Sequence, residues 1–165
     1  RHPAYLYTLN RRAWLLNRQD KFEESAALYR QVVQGADAVL KPEHPWTMFW
    51  KNSLGWTLIR TGHFDEAETI FRDLLDSRRR VLGEDHRDTL ISMAGLARAL
   101  IGQKKFTEAE PLARQAFDQL SAKGPTAAAA TRDAAEVAAV LYEEWGKPQL
   151  AAPYRAAAPS SDPPR

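Results

Sequence analysis

Three of the four imidazoles that could serve as catalytic bases or metal ligands recur at one fixed interval. His2, His44 and His86 are each separated by 42 residues. Metal binding and proton transfer need such groups to converge, for example as two histidines four residues apart on one helix face. The chain has no such pair, and neither glycine-rich phosphate-binding pattern occurs. We interpret these histidines as loop and helix-start residues, and we expect no catalytic residue, no metal site and no cofactor.

Other side chains are better suited to binding than to catalysis. Asn10 and Asn52 lie 42 residues apart, and so do Trp14 and Trp56. A side-chain amide both donates and accepts a hydrogen bond, so it can pair with a peptide unit whatever side chain that unit carries. Tryptophans offer rigid apolar contact area of the kind that dominates binding hot spots. The shared spacing places each pair at equivalent positions of a repeating pattern.

The same 42-residue interval organises the elements that must position these side chains. Four more residue types recur at this interval, and we call each set of equivalent positions a column of the repeat. The columns are Phe22, Phe64 and Phe106; Glu24, Glu66 and Glu108; Leu16, Leu58 and Leu100; and Arg30, Arg72 and Arg114. Within a copy, apolar residues recur at helical spacing in two runs, which a short turn such as Gly62-His63 separates. Each copy is therefore predicted to be a pair of helices.

The predicted fold is an all-α solenoid of antiparallel helix pairs, with about three full repeats and a C-terminal capping helix. We place the repeats at about 2–43, 44–85 and 86–125 and a degenerate cap at 126–155, all within one domain, 1–155. The last ten residues, 156–165, have little to bury, and we expect a disordered tail. Because the chain begins at the first residues of a repeat, we expect it to be a piece of a longer protein.

Composition argues against several kinds of partner. Apolar residues make up 44% of the chain, which is enough for a packed core. The net charge of +2 is spread over a mixed surface rather than a basic block, so nucleic acid is not indicated. No run approaches the roughly 18 apolar residues of a membrane span, and we expect no membrane partner. The absence of cysteine fits a reducing compartment, and we expect a cytoplasmic location.

The second copy resembles a tetratricopeptide repeat. Its residues at the small, large, glycine, aromatic, alanine and aromatic positions of that pattern are Gly55, Leu58, Gly62, Phe64, Ala67 and Phe71. The 42-residue period and the string Leu-Gly-Glu-Asp-His-Arg-Asp-Thr-Leu at 82–90 are similar to the kinesin-light-chain-like subclass. The resemblance covers about residues 2–155. It implies an array like those of cargo adaptors, or like the C-terminal arrays of bacterial signalling proteins that include serine/threonine kinases.

Four residues depart from the family pattern. Asp20 and Lys104 replace the glycine of the turn, and Arg12 replaces a core leucine. Lys51 stands where a large apolar residue is usual, and we expect the adjacent Trp50 to relieve it.

The resemblance implies a right-handed superhelical solenoid with a concave groove that is lined by the first helix of each pair. Side chains at spacing i, i+3, i+7, i+10 and i+11 should point into it. The predicted groove residues are Tyr7, Asn10, Trp14, Asn17, Arg18, Phe49, Asn52, Trp56, Arg60 and Arg98. Asn10 and Asn52 match the asparagines that hold a ligand's backbone in the light-chain family. The arginines can hold a carboxylate or a phosphate through two hydrogen bonds.

Each assignment has an alternative. The tryptophans could pack between repeats, the arginines could be solvated or paired within the chain, and the asparagines could be weak helix formers on a wet face. We predict a protein–protein interaction module that binds a peptide segment, with acidic residues favoured, as part of a larger signalling or adaptor protein. The alternative is a structural spacer or a self-association module that uses exposed repeat ends, including Leu6 and Leu9.

Overall fold

The computed structural model describes residues 3–158, and these form α-helices and one 3₁₀ helix without any strand. The chain divides into two compact units between Glu84 and Asp85. The first unit holds α1 (Pro3–Arg18), α2 (Phe22–Val39), α3 (Pro45–Arg60) and α4 (Phe64–Leu82). The second holds α5 (Arg87–Gly102), α6 (Phe106–Ala122), the 3₁₀ helix Gly124–Ala127, α7 (Ala128–Glu144) and α8 (Pro148–Ala157). Within each unit every α-helix packs against the next one along the chain, so the predicted all-α arrangement of helix pairs is confirmed.

Imidazoles begin the first helix of two pairs. His44 is the N-cap of α3 and His86 is the N-cap of α5, and both have extended backbone conformations. In each case Nδ1 accepts a hydrogen bond of 3.1 Å from the backbone N–H two residues later. This bond satisfies one of the amides that the first turn of a helix leaves unpaired. Both histidines thus have the predicted helix-start role, whereas His2 lies outside the described residues.

The first helix of every pair ends in the same left-handed turn. The turn residues are Asp20, Gly62, Lys104 and Gly146, with φ of 58°, 77°, 61° and 75°. After each one, the next backbone N–H bonds to a carbonyl five residues earlier, at 2.8 to 3.0 Å. This arrangement closes a helix by satisfying carbonyls that lack a partner within it. The two non-glycine residues therefore adopt the glycine conformation and bear its steric strain.

Small residues in the first helices let the second helices pack closely. Gly55 lies against the ring of the fully buried Phe71, and a Cβ at Gly55 would fall 2.7 Å from that ring. The equivalent residues 42 positions apart, Ala13, Ala97 and Ala139, are also fully buried. Any larger side chain in this column would push the two helices of a pair apart.

Lys51 is buried for a different reason from the one that the sequence suggested. Its ammonium lies 3.2 Å from Asp37 Oδ1 of α2 and 2.6 Å from Asp73 Oδ2 of α4. Two carboxylates from the second helices therefore neutralise the charge. The interpretation that Trp50 relieves this lysine was wrong, because it considered only neighbours in sequence.

Two expectations at the ends of the array also change. Leu6 is fully buried, with Cδ2 only 2.5 Å from the position that a Cβ on Gly35 would take, and Leu9 is half-buried. The large apolar side chains of α1 that are about half exposed include Tyr5 and Leu15 instead. At the other end, α8 continues to Ala157, two residues into the segment expected to be a tail. Residues 159–165 of that segment lie outside the described residues.

Candidate functional site

A cleft of about 250 Å³ opens in the first unit, with walls from α1, α2 and α3. Its lining is Trp14, Asn17, Arg18, Tyr29, Asn52, Ser53, Trp56, Thr57 and Arg60. Six of these nine residues were predicted from the sequence. The sequence did not indicate Tyr29, Ser53 and Thr57. Tyr29 comes from a second helix, and the other two lie between predicted groove positions on α3.

Aromatic rings form the apolar part of the cleft. Trp14 is 52% exposed, so it offers a ring to solvent rather than filling a gap between helices. Trp56 is half-buried, and its ring meets the core residue Phe71 edge to face with centroids 5.7 Å apart. Tyr29 is itself buried, and burial raises the pKa of its phenol, with a hydrogen bond to Ser53 opposing the rise. The cleft thus has one exposed aromatic face and a rigid aromatic base.

The two lining amides are held by hydrogen bonds that cross between helices. Asn17 Nδ2 of α1 donates to Thr57 Oγ1 of α3 over 2.7 Å. Thr57 Oγ1 in turn donates to the carbonyl of Ser53 over 2.8 Å. On the other side, Arg78 Nη1 of α4 donates to Asn52 Oδ1 over 3.3 Å. Each asparagine therefore presents a defined edge to the cleft.

The two lining arginines stack on aromatic rings. The guanidinium of Arg18 lies 5.3 Å from the ring centroid of Trp14, and that of Arg60 lies 4.9 Å from the centroid of Phe22. Such stacking orients a guanidinium and leaves its donors free. Among residues 3–158 neither arginine has an ion-pair partner, and no lining residue is acidic. The cleft therefore carries two guanidinium groups that form no ion pair within the described part of the chain.

Four predicted groove residues lie elsewhere. Tyr7 and Phe49 are about half exposed and flank the ring of Trp46 at centroid distances of 6.0 and 6.1 Å. Asn10 is half-buried, and its Oδ1 has no hydrogen-bond partner in the described part of the chain. Arg98 belongs to the second unit, where its Nη1 lies 3.9 Å from Glu144 Oε1. These residues do not line the cleft.

The cleft is chemically equipped for binding. Its lining combines aromatic faces, hydroxyls, amides and guanidinium groups, without an imidazole or a carboxylate. Across residues 3–158 no group of three or more histidine and acidic residues is placed to hold a metal ion. Over the same range, no helix is both long and apolar enough to cross a membrane.

A comparison with family models decides the kind of protein. The model of the tetratricopeptide repeat matches residues 4–80 and 60–122. The chain belongs to the tetratricopeptide repeat family. Proteins of this family are in general non-catalytic scaffolds, and their repeats form protein–protein interaction modules. No curated protein matches the chain in sequence.

Solved structures place this tetratricopeptide array beside kinesin-light-chain-type arrays. BtubC (BKLC) from P. vanneervenii has a TM-score of 0.76 and 18% sequence identity, covering 97% of this chain and 67% of that one. The nearly identical TPR-like repeats of a Podosopora anserina kinesin light chain have a TM-score of 0.73 and 22% identity, covering 99% and 81%. A variant of the same repeats with one substituted residue gives the same values. The tetratricopeptide repeat family is thus confirmed, and the chain shares the fold of these kinesin-light-chain-type arrays.

Proposed function

We propose that this tetratricopeptide array recruits a protein partner by binding a peptide segment with acidic and large apolar residues in the cleft of the first unit. The observation that carries the proposal is the pair of guanidinium groups, Arg18 and Arg60, which accompany an exposed tryptophan and have no carboxylate partner among residues 3–158. Elsewhere in the same unit, arginines such as Arg30 and Arg80 are paired with glutamates. The cleft arginines are therefore available to an external anion.

A peptide fits the remaining chemistry of the cleft. Asn17 and Asn52 can pair with main-chain N–H and C=O groups, which every peptide offers. Trp14 supplies an exposed face for an apolar side chain, and Trp56 is braced against the core by Phe71. Prior ordering of this kind lowers the entropy lost when a ligand binds.

The proposed biological role is recruitment within a larger signalling or adaptor protein, with the array as its partner-binding part. The kinesin-light-chain type of the repeats supports an adaptor role by analogy of fold.

Selection from a random dodecapeptide library displayed on phage tests the proposal. The wild-type chain should enrich peptides that contain both acidic and large apolar residues. A Trp14→Ala, Arg18→Gln, Arg60→Gln variant that keeps its thermal unfolding midpoint should not enrich them. If the variant selects the same peptides as the wild type, the cleft is not the binding site.

Self-association is the second candidate, and the outer face of α1 favours it. Thr47, Leu54 and Thr57 of α3 are buried, and the residues 42 positions earlier on α1 are Tyr5, Arg12 and Leu15. Those three α1 side chains are exposed. The outer face of α1 is therefore open, whereas the equivalent face of α3 is buried. Sedimentation should then show a mass that rises with concentration, and Tyr5→Lys with Leu15→Lys should restore a monomer. A wild-type chain that stays monomeric at high concentration would remove this candidate.

A further inference from the structure

The orientation of the Asn17 amide in the cleft follows from the hydroxyl that it contacts. Thr57 Oγ1 carries one hydrogen and lies within hydrogen-bond distance of two groups, the carbonyl of Ser53 at 2.8 Å and the amide of Asn17. Because a carbonyl only accepts, both contacts are hydrogen bonds only when that hydrogen is directed to Ser53. Toward Asn17, 2.7 Å away, the hydroxyl can therefore only accept. The group of Asn17 that faces Thr57 must be the NH₂ donor. Asn17 Oδ1 is left over, and it has no hydrogen-bond partner within residues 3–158.

The orientation of the Asn52 amide follows from a partner of the opposite kind. A guanidinium has donors and no acceptor, so the atom of Asn52 that faces Arg78 Nη1 at 3.3 Å must be Oδ1. Arg78 is itself buried in α4, which limits its freedom to turn away. The free group of Asn52 is then the NH₂, which likewise has no partner in the described chain. The two asparagines face the cleft in opposite senses.

We propose that the cleft presents a fixed pair of hydrogen-bonding groups, an acceptor at Asn17 Oδ1 and a donor at Asn52 Nδ2, and that Thr57 and Arg78 are the positioning residues that set them. The inference rests on the proposed peptide-binding function and deepens it. A ligand must supply one N–H to Asn17 and one C=O to Asn52. An amide offers both groups, and it can come from the peptide main chain or from an Asn or Gln side chain of the peptide.

The pairing makes Asn17, rather than Asn10, the functional counterpart of Asn52. Asn10 is the residue 42 positions before Asn52, but it does not line the cleft. The 42-residue spacing pairs Asn52 with Asn10. The residues that line the cleft pair it instead with Asn17, two helical turns further along α1. The prediction that Asn10 and Asn52 act together is thereby replaced by a proposal for Asn17 and Asn52.

The test uses a synthetic dodecapeptide recovered by library selection on the wild-type chain. Each main-chain amide of the peptide is replaced in turn by an ester, which removes one N–H without adding charge. One ester should weaken binding by about 2- to 12-fold, the effect of one lost hydrogen bond. The same ester should have no effect on binding to Asn17→Ala. Replacement of each Asn or Gln of the peptide by Ala distinguishes a side-chain amide from the main chain.

Variants of the positioning residue supply the control. Thr57→Val removes the acceptor for Asn17 Nδ2 at nearly constant volume, so affinity should fall about 2- to 5-fold and sensitivity to the critical ester should disappear. Thr57→Ser keeps the hydroxyl and should restore both. Thermal midpoints that match between the Val and Ser variants exclude a purely structural effect.

The outcomes separate this inference from the proposed function. If no peptide is recovered by the wild-type chain, both are wrong. A second outcome is that a peptide binds through Trp14 and the arginines, yet every ester or Ala replacement in the peptide has the same effect on wild type, Asn17→Ala and Thr57→Val. The proposed function would then stand, and the fixed donor–acceptor pair would be overturned.

Discussion

The ammonium of Lys51 lies 2.6 Å from Oδ2 of Asp73, which joins α3 to α4. Only 6% of the lysine side chain is exposed, whereas 55% of the aspartate side chain is. Burial lowers the pKa of Lys51, but hydrogen bonds to Asp73 and Asp37 outweigh that effect and hold the pKa above its usual value. Removing the two carboxylates would leave a buried ammonium without a partner. Removing the lysine would leave carboxylates that water can solvate.

The first prediction follows from this asymmetry. Met93 occupies the equivalent position of α5 and is fully buried, so Lys51→Met should change the free energy of unfolding by less than about 1 kcal/mol, or raise it. Asp37→Asn with Asp73→Asn leaves a buried ammonium and should cost about 3 kcal/mol. Urea denaturation at neutral pH measures both. A larger loss for Lys51→Met than for the double variant would contradict the account.

The second prediction concerns acid stability. Arg30 binds both oxygens of Glu66, at 2.8 and 2.6 Å, and this hydrogen bonding holds the pKa of Glu66 below its usual value. A carboxyl whose pKa falls on folding stabilises the fold above its unfolded pKa, and that stability is lost as pH drops through the folded pKa. Both side chains are more than a third exposed, so Glu66→Gln should cost only about 0.5–1 kcal/mol at neutral pH. The difference from wild type should shrink below about pH 4, near the ordinary pKa of glutamate. A difference that is constant from neutral to acid pH would refute the linkage.

Much of the fold could be predicted from the sequence because each column of the repeat reports one structural role. The 42-residue offset placed Trp14 and Trp56 on first helices, and it placed the turn at Asp20, Gly62 and Lys104. The repeat pattern reports roles within a copy. It does not report which side chains of different helices meet, either inside one copy or between neighbouring copies.

The missed features are mostly contacts between side chains on different helices. The carboxylates that hold Lys51 stand 14 residues before it and 22 residues after it, and Arg78 reaches Asn52 from 26 residues away. Leu6 is buried because Gly35 leaves room for it on α2, which no apolar periodicity reveals. The cleft likewise takes Tyr29 from a second helix, although the groove was predicted from first helices alone.

The third prediction concerns the left-handed turns. Lys104 has φ of 61° at a position where Gly62 and Gly146 stand in other repeats. A lysine in that conformation is strained, so Lys104→Gly should raise the free energy of unfolding by about 1 kcal/mol. Asp20→Gly should gain less, since aspartate tolerates the left-handed region better.

Gly62→Ala is the matched control for these turns, and it should lose about 1 kcal/mol in chemical denaturation. No atom lies within 4 Å of a Cβ built at Gly62, so strain of the backbone would be the cause rather than a clash. Destabilisation by Lys104→Gly would show that this turn is not strained.

The fourth prediction separates the charged part of the cleft from its amides. Arg18→Gln with Arg60→Gln should weaken binding of a selected acidic peptide strongly at low salt and much less at about 0.5 M salt, where screening has already reduced the attraction. Asn17→Ala with Asn52→Ala should weaken binding by a factor that salt changes little, since neutral hydrogen bonds are not screened. Calorimetric titrations at two salt concentrations give the comparison. Equal salt dependence in the two variants would contradict the assigned roles.

Binding in the cleft of the first unit is tested most directly by the indole N–H resonances of the five tryptophans in nitrogen-15 spectra. As a selected peptide is titrated into the wild-type chain, Trp14 and Trp56 should shift along one saturation curve that gives the calorimetric Kd. Trp145 should stay in place, because it belongs to the second unit and stacks on Phe106 with centroids 5.8 Å apart. Single tryptophan-to-phenylalanine variants assign each signal. Saturable shifts of Trp145, with Trp14 and Trp56 unmoved, would show that the peptide binds elsewhere and that the cleft is not the functional site.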